Sequence, residues 1–232
     1  MSALRTTTAF GAIALVVPLA LSCPAGAEKN EGMGALAPPP LTSPGQLRPS
    51  EVPDDLLRRA DDYARKGQRE RAIQEYNRAL ALDKNNADAF YKRGNIYSSK
   101  GDRRRAIADF SEAIKLTPTD AELWNARCWE RAVLGELQPA LADCSESLKL
   151  KADAANTLDS RGFVYLKLGR LDDAITDYDA ALKLEAKHAG SLFGRGLARL
   201  KKGDTAGGKA DIDAALALRP DIRKEYARYG VK

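Results

Sequence analysis

One histidine, His188, and three cysteines stand in a chain of 232 residues. A lone histidine leaves almost no raw material for a metal cluster or a Ser-His-Asp triad. The cysteines form no C-x-x-C, so thiol–disulfide catalysis has no motif. Gly194-Arg195-Gly196 lies inside a helical stretch and follows no strand, so it is not a phosphate loop. Neither sign of charge dominates: 37 Lys and Arg face 32 Asp and Glu, interspersed, for a net +5. A nucleic-acid binder concentrates its basic residues on one face, and none is visible here. No apolar run reaches the roughly 20 residues of a bilayer span. These absences point away from an enzyme, a cofactor, a metal, a nucleic-acid partner and a membrane span.

The first 27 residues have the layout of a secretory signal peptide. Arg5 gives the positive start, Ala9 to Leu21 the apolar stretch, and Ala25-Gly26-Ala27 the small-residue cleavage site. Cleavage near Ala27 would leave Glu28 as the mature start, in the periplasm or outside the cell. It removes Arg5 and no acid, so the net charge falls from +5 to +4. Ala20-Leu21-Ser22-Cys23 loosely resembles a lipobox, which would instead place a lipid anchor on Cys23. Residues 28–52 are a spacer: Pro38-Pro39-Pro40, Pro44 and Pro49 with Gly32, Gly34 and Gly45 bury too little apolar surface to fold.

Against these absences, one regularity stands out. Gly67, Gly101, Gly135, Gly169 and Gly203 are each 34 residues apart, and so are Arg59, Arg93, Arg127, Arg161 and Arg195. A fixed period of this length marks a duplicated helical unit whose copies stack. With Pro53 as position 1, the units are 53–86, 87–120, 121–154, 155–188 and 189–222. Each splits at its position-15 glycine, the left-handed residue that ends a first helix. Asp102 and Asp204 are expected to cap second helices, and Thr119 with Glu122 to form a capping box in the third unit. Each second helix carries one apolar stripe, such as Ala106, Phe110, Ala113 and Ile114. In the fifth unit Gly207 and Gly208 should weaken that helix by about 1 kcal/mol each. Residues 221–229, with Ile222, Tyr226 and Tyr229 on one face, read as a capping helix followed by a tail to residue 232.

Phe90, Gly94, Tyr97, Ala106, Phe110, Ala113 and Pro118 of the second unit resemble the tetratricopeptide-repeat pattern nearly in full. The resemblance covers residues 53–222. It implies an all-α, right-handed superhelical solenoid of five helix–turn–helix units. It further implies that positions 5 and 9 of the first helices line a concave groove that takes peptide segments. The groove set is then Tyr91, Asn95, Asn125, Trp129, Asp159, Phe163, Phe193 and Leu197, with Trp129 and Phe163 as anchors. The bland alternative is that some of these rings pack between units. The Lys/Asn clamp with which some members grip chaperone tails is not matched, since Tyr91 and Ala126 replace its Lys and an Asn.

Position 7 is Arg in every unit, and position 23 is acidic: Glu75, Asp109, Asp143, Asp177 and Asp211. The two rows are expected to pair, within or between units, and to set the stacking register. Cys128 and Cys144 sit one on each helix of the third unit. They are either a disulfide or two buried thiols, and spacing alone does not decide. His188 falls in an inter-unit turn and reads as an exposed bystander. The expected function is an exported scaffold that holds a protein or peptide partner in its groove. The alternative is an envelope-complex subunit or lipoprotein scaffold that uses its convex face or its linker.

Overall fold

The computed structural model describes residues 52–231; the signal-peptide, lipobox and spacer readings fall almost wholly outside them. Eleven α-helices and no strand are found among the described residues. They are α1 Pro53–Arg65, α2 Arg69–Leu82, α3 Ala87–Ser99, α4 Arg103–Leu116, α5 Ala121–Leu134, α6 Leu137–Leu150, α7 Ala155–Lys167, α8 Leu171–Leu184, α9 Ala189–Lys201, α10 Thr205–Leu218 and α11 Ile222–Arg228. Consecutive helices pack as pairs, and each pair stacks on the next.

The turns follow from the repeated glycines. Gly67, Gly101, Gly135, Gly169 and Gly203 all hold φ between 70° and 92°, a region that costs any residue with a Cβ. Asp102 and Asp204 then accept from the Arg105 and Gly207 amides and start α4 and α10. In the third unit the cap is Asp120, not Thr119: its carboxylate accepts from the Glu122 amide, because α5 begins at Ala121. His188 is no bystander. It is the N-cap of α9, half-buried, with Nδ1 accepting from the Ser191 amide at 3.2 Å.

The spine between the two helices of a unit is a pair of complementary sizes. Position 8 of the first helix meets position 24 of the second. A Cβ at Gly94 would stand 2.7 Å from Phe110 Cε1, one at Gly162 2.8 Å from Tyr178 Cε1, and one at Gly196 2.7 Å from Ile212 Cγ1. In the third unit the same two positions are Cys128 and Cys144, joined as a disulfide with Cα atoms 5.3 Å apart. Phe110, Tyr178 and both cysteines are buried, as are the position-20 alanines Ala72, Ala106, Ala140 and Ala174. Gly208 replaces alanine there for a reason the sequence did not expose: a Cβ would stand 2.7 Å from Leu200 Cγ and 2.9 Å from the Gly196 carbonyl. The close approach of α9 and α10 offsets the helix propensity lost at that glycine.

The arginine and acid rows pair within each unit. Arg93, Arg127, Arg161 and Arg195 each fork onto both carboxylate oxygens of Asp109, Asp143, Asp177 and Asp211, at 2.6–2.9 Å. Three of them also reach back to the preceding unit: Arg93 to Asn77 at 2.6 Å, Arg127 to Ser111 at 3.1 Å and Arg195 to Asp179 at 2.6 Å. The four aspartates are buried rather than exposed; each fork closes its hairpin, and the three arginines that reach back also tie it to the preceding unit.

Candidate functional site

Neighbouring first helices touch one another, α5 with α7 and α7 with α9, whereas no pair of second helices makes comparable contact. First helices therefore crowd on the inside of the curve. That inner face is the candidate site, and it divides into two chemically different halves.

The first half is polar and lies on α1, α3 and α5. Leu57 and Asp61 are half-buried, Tyr91 is half-buried and Asn95 is exposed. Tyr91 donates from its hydroxyl to the Glu122 carboxylate of the next unit, and its ring lies 5.9 Å from that of Phe110. Burial, with the Glu122 carboxylate beside it, pushes the Tyr91 phenol up to about 12. Asp61 accepts from the Tyr76 hydroxyl and from Lys92 Nζ at 3.0 Å. Asn125 is half-buried, and its side-chain oxygen has no hydrogen-bond partner among the described residues. A buried amide oxygen left unpaired costs free energy.

The second half is aromatic, and the chain itself covers it. Phe163 is fully buried, Phe193 is 2 % exposed and Leu197 is buried. Trp129, half-buried, lies 5.1 Å from Phe163, centroid to centroid. Above these rings sit two from the C-terminal segment. Tyr226 packs edge-on against Phe193 at 4.7 Å and Phe163 at 5.5 Å. Tyr229 packs edge-on against Trp129 at 5.4 Å and Phe163 at 6.1 Å. The C-terminal segment thus does more than cap the last unit: α11 packs on α9 and α10, and the Tyr229 ring just beyond it reaches Trp129 of α5. Sequence reading found the shared face of Tyr226 and Tyr229 but not its direction, because the path after the last unit has no repeat to copy.

Polar contacts hold the segment in place. Tyr226 donates to the Gly190 carbonyl at 2.9 Å, and Lys167 Nζ donates to the carbonyls of Ala132 at 2.8 Å and Tyr229 at 3.1 Å. Burial lowers the Lys167 ammonium below its ordinary range. Arg103 lies 5.6 Å over the Tyr229 ring, and Arg223 5.9 Å over Phe193. Asp159, half-buried on α7, accepts from Ser191 Oγ at 2.8 Å with His188 Nδ1 3.7 Å away. Burial raises its carboxyl above the usual range, against the opposing pull of His188 and Ser191. The arrangement offers shape, rings and amides rather than a reactive centre. No group of side chains suited to a metal ion occurs among the described residues, and no helix there is long and apolar enough to cross a membrane.

Two family profiles match the chain. One, described as TPR repeat, matches residues 60–101 and 162–203; the other, tetratricopeptide repeat, matches residues 87–120. Curated protein sequences provide no match. Among solved structures, MamA is 24 % identical, with a TM-score of 0.64 over 74 % of this chain and 94 % of MamA. YrrB, described as a TPR protein with an unusual peptide-binding site, is 22 % identical, with a TM-score of 0.61 over 75 % of this chain and 89 % of YrrB. PilW, a type IV pilus biogenesis factor, is 17 % identical, with a TM-score of 0.65 over 73 % of this chain and 78 % of PilW. These likenesses carry the fold.

Proposed function

We propose that this chain, which is a tetratricopeptide-repeat protein, is an exported scaffold that holds a segment of a protein partner on the inner face of its first helices. Its fold is that of a protein–protein interaction scaffold: stacked hairpins make extended surfaces rather than reactive pockets. The observation that carries the inner-face reading is the polar half, where the half-buried Tyr91 and the exposed Asn95 lie one turn apart on α3. Amides bond an extended or helical backbone, and a partly buried ring gives contact area at little entropic cost.

Export is supported by the signal-like residues Arg5, Ala9–Leu21 and Ala25-Gly26-Ala27. The Cys128–Cys144 bridge points the same way, because such bonds persist in oxidising compartments. N-terminal sequencing of the protein from cell fractions tests this. A mature start at Glu28 in the periplasmic fraction is expected; a retained Met1 in the cytoplasm overturns it, and a lipid-bearing Cys23 start replaces it with the lipoprotein route.

The inner-face reading is tested by affinity capture from the exported fraction, comparing wild type with Tyr91→Ala/Asn95→Ala. Partners held by wild type and lost by the variant support it. Partners retained equally by both refute it, and move the contact to the outer face or the 28–52 spacer.

A further inference from the structure

The C-terminal segment has the geometry of a bound ligand. α11 has seven residues, too few to be stable as a helix by itself. Its underside is buried, with Ile222 at 0 % and Tyr226 at 2 % exposure, and Val231 beyond it is buried too. Its upper side, Arg223, Lys224, Ala227 and Arg228, is exposed. Two rings one turn apart enter a floor made by three first helices: Trp129 of α5, Phe163 of α7 and Phe193 of α9. The floor supplies one hydrogen-bond acceptor and one donor to the segment. The Gly190 carbonyl takes the Tyr226 hydroxyl, and Lys167 takes the Tyr229 carbonyl, where a cation suits the C-terminal end of a helix. Tyr229 also reaches Arg103, on the second helix of the second unit.

We propose that the aromatic half of the inner face, on α5, α7 and α9, is a docking site whose resident ligand is the chain's own residues 219–231, and that it admits a partner presenting a short amphipathic helix with aromatic residues at i and i+3. This rests on the reading of the inner face as the partner-binding surface and specifies half of it. The tether holds the resident helix near its site at an effective concentration on the order of millimolar. A competing helix therefore binds with its affinity reduced by the small fraction of chains that stand open. Loosening the resident segment removes that reduction.

The test uses the full chain and a fluorescein-labelled synthetic peptide of residues 219–232. In anisotropy titrations the variant Tyr226→Ala/Tyr229→Ala is expected to bind the peptide at least tenfold more tightly than wild type. A peptide with both tyrosines changed to alanine should bind neither chain. An alanine-rich amphipathic peptide carrying phenylalanine at i and i+3 should bind the variant within about tenfold of the native peptide, since both present rings to the same floor. A variant that keeps its helical circular dichroism yet binds the native peptide no better than wild type overturns the docking. Failure of the phenylalanine peptide alone overturns the stated partner chemistry.

Should the double variant lose helix content, Tyr229→Ala in a Trp124→Phe background replaces it. Trp129 emission should then move to longer wavelength as its edge contact is lost, and return when the native peptide is added. Emission unchanged by the substitution refutes the docking. Because the probe is the chain's own segment, these readouts do not depend on a foreign partner. Loss of partner capture with peptide docking intact would count against the proposed function and leave the docking standing.

Discussion

The arginine–aspartate row offers the sharpest test of how the stack is held, because one pair recurs at two different depths. Arg161 and Asp177 lie mid-array, with Nε to Oδ2 at 2.6 Å and Nη2 to Oδ1 at 2.7 Å. The Asp177 side chain is 6 % exposed and that of Arg161 25 %. Arg59 makes the corresponding contact to Glu75 at the first unit, Nε to Oε2 at 2.9 Å, with its side chain 44 % exposed. Arg161→Ala strands a buried carboxylate. The loss should be about 3 kcal/mol, the lower end of the range for broken buried pairs, since water reaches the guanidinium side. Arg59→Ala removes the more exposed partner and leaves Glu75, 13 % exposed, still paired with Arg78 at 3.0 Å, so it should cost less than about 1 kcal/mol. At about 2–4 °C per kcal/mol for a domain of this size, the two melting points should separate by roughly 4 °C or more.

The assay is urea unfolding followed by circular dichroism and by tryptophan emission, since Trp124 and Trp129 report the third unit and a stack can unfold in parts. The second leg is Arg161→Ala/Asp177→Ala, which removes the stranded charge. It should recover part of the loss, with a coupling of about 2 kcal/mol in the double-mutant cycle. The reasoning fails if Arg161→Ala and Arg59→Ala cost the same, or if the double variant loses the plain sum of the single losses.

Gly94→Ala should lower the unfolding free energy measured in urea by up to about 2 kcal/mol: overpacking against Phe110 Cε1, 2.7 Å from the new Cβ, costs about 1–3 kcal/mol, and alanine's helix propensity returns about 1. Reduction of Cys128–Cys144, which closes a separation of 16 residues, should cost about 3 kcal/mol, measured as melting with and without dithiothreitol. Neither of these two cysteines should react with a thiol reagent in denatured, unreduced protein. The Asp159 carboxyl is held above its ordinary range, so the folded chain keeps that proton at a pH where the unfolded chain has lost it. Wild type should therefore lose stability relative to Asp159→Asn as pH rises from below about 4 through the raised value, seen as a widening gap in melting temperature in the variant's favour.

What the sequence made legible was whatever repeats. The turn glycines, the alanine and aromatic stripes and the paired rows at positions 7 and 23 recur in fixed register, so one unit read well gives five. What it hid was whatever occurs once. Asp120 rather than Thr119 caps α5 because the helix begins one residue later than the capping-box pattern implies, and both residue types suit the role. His188 looks like a loop residue until Ser191 stands against its ring. Phe163 and Phe193 stood at groove positions, and the rings that pack over them, Tyr226 of α11 and Tyr229 just after it, make contacts 33 to 100 residues away in sequence. The Cys128–Cys144 geometry was undecided for a related reason. Positions 8 and 24 face each other in every unit, but only the packed hairpin shows how closely.

That one facing pair explains more of the stack than any single residue does. Gly94 with Phe110 and Gly162 with Tyr178 combine no side chain with a ring, and Gly196 with Ile212 combines none with a branched aliphatic. Ala60 with Tyr76 in the first unit is the same compromise, both residues buried. Each combination sets a small residue against a larger one across the hairpin, which lets the two helices approach closely in every one of these units. The third unit departs, with two medium side chains and no ring. Apolar area is lost there relative to a glycine–aromatic pair, and a covalent bond spans the gap instead. The bond stands in the middle of the array, directly beside Trp129, the residue at which the Tyr229 ring reaches furthest along the inner face. A hairpin that cannot breathe at Cys128 keeps α5 at a fixed distance from α6. The floor under Tyr229 is then set by covalent geometry as well as by packing.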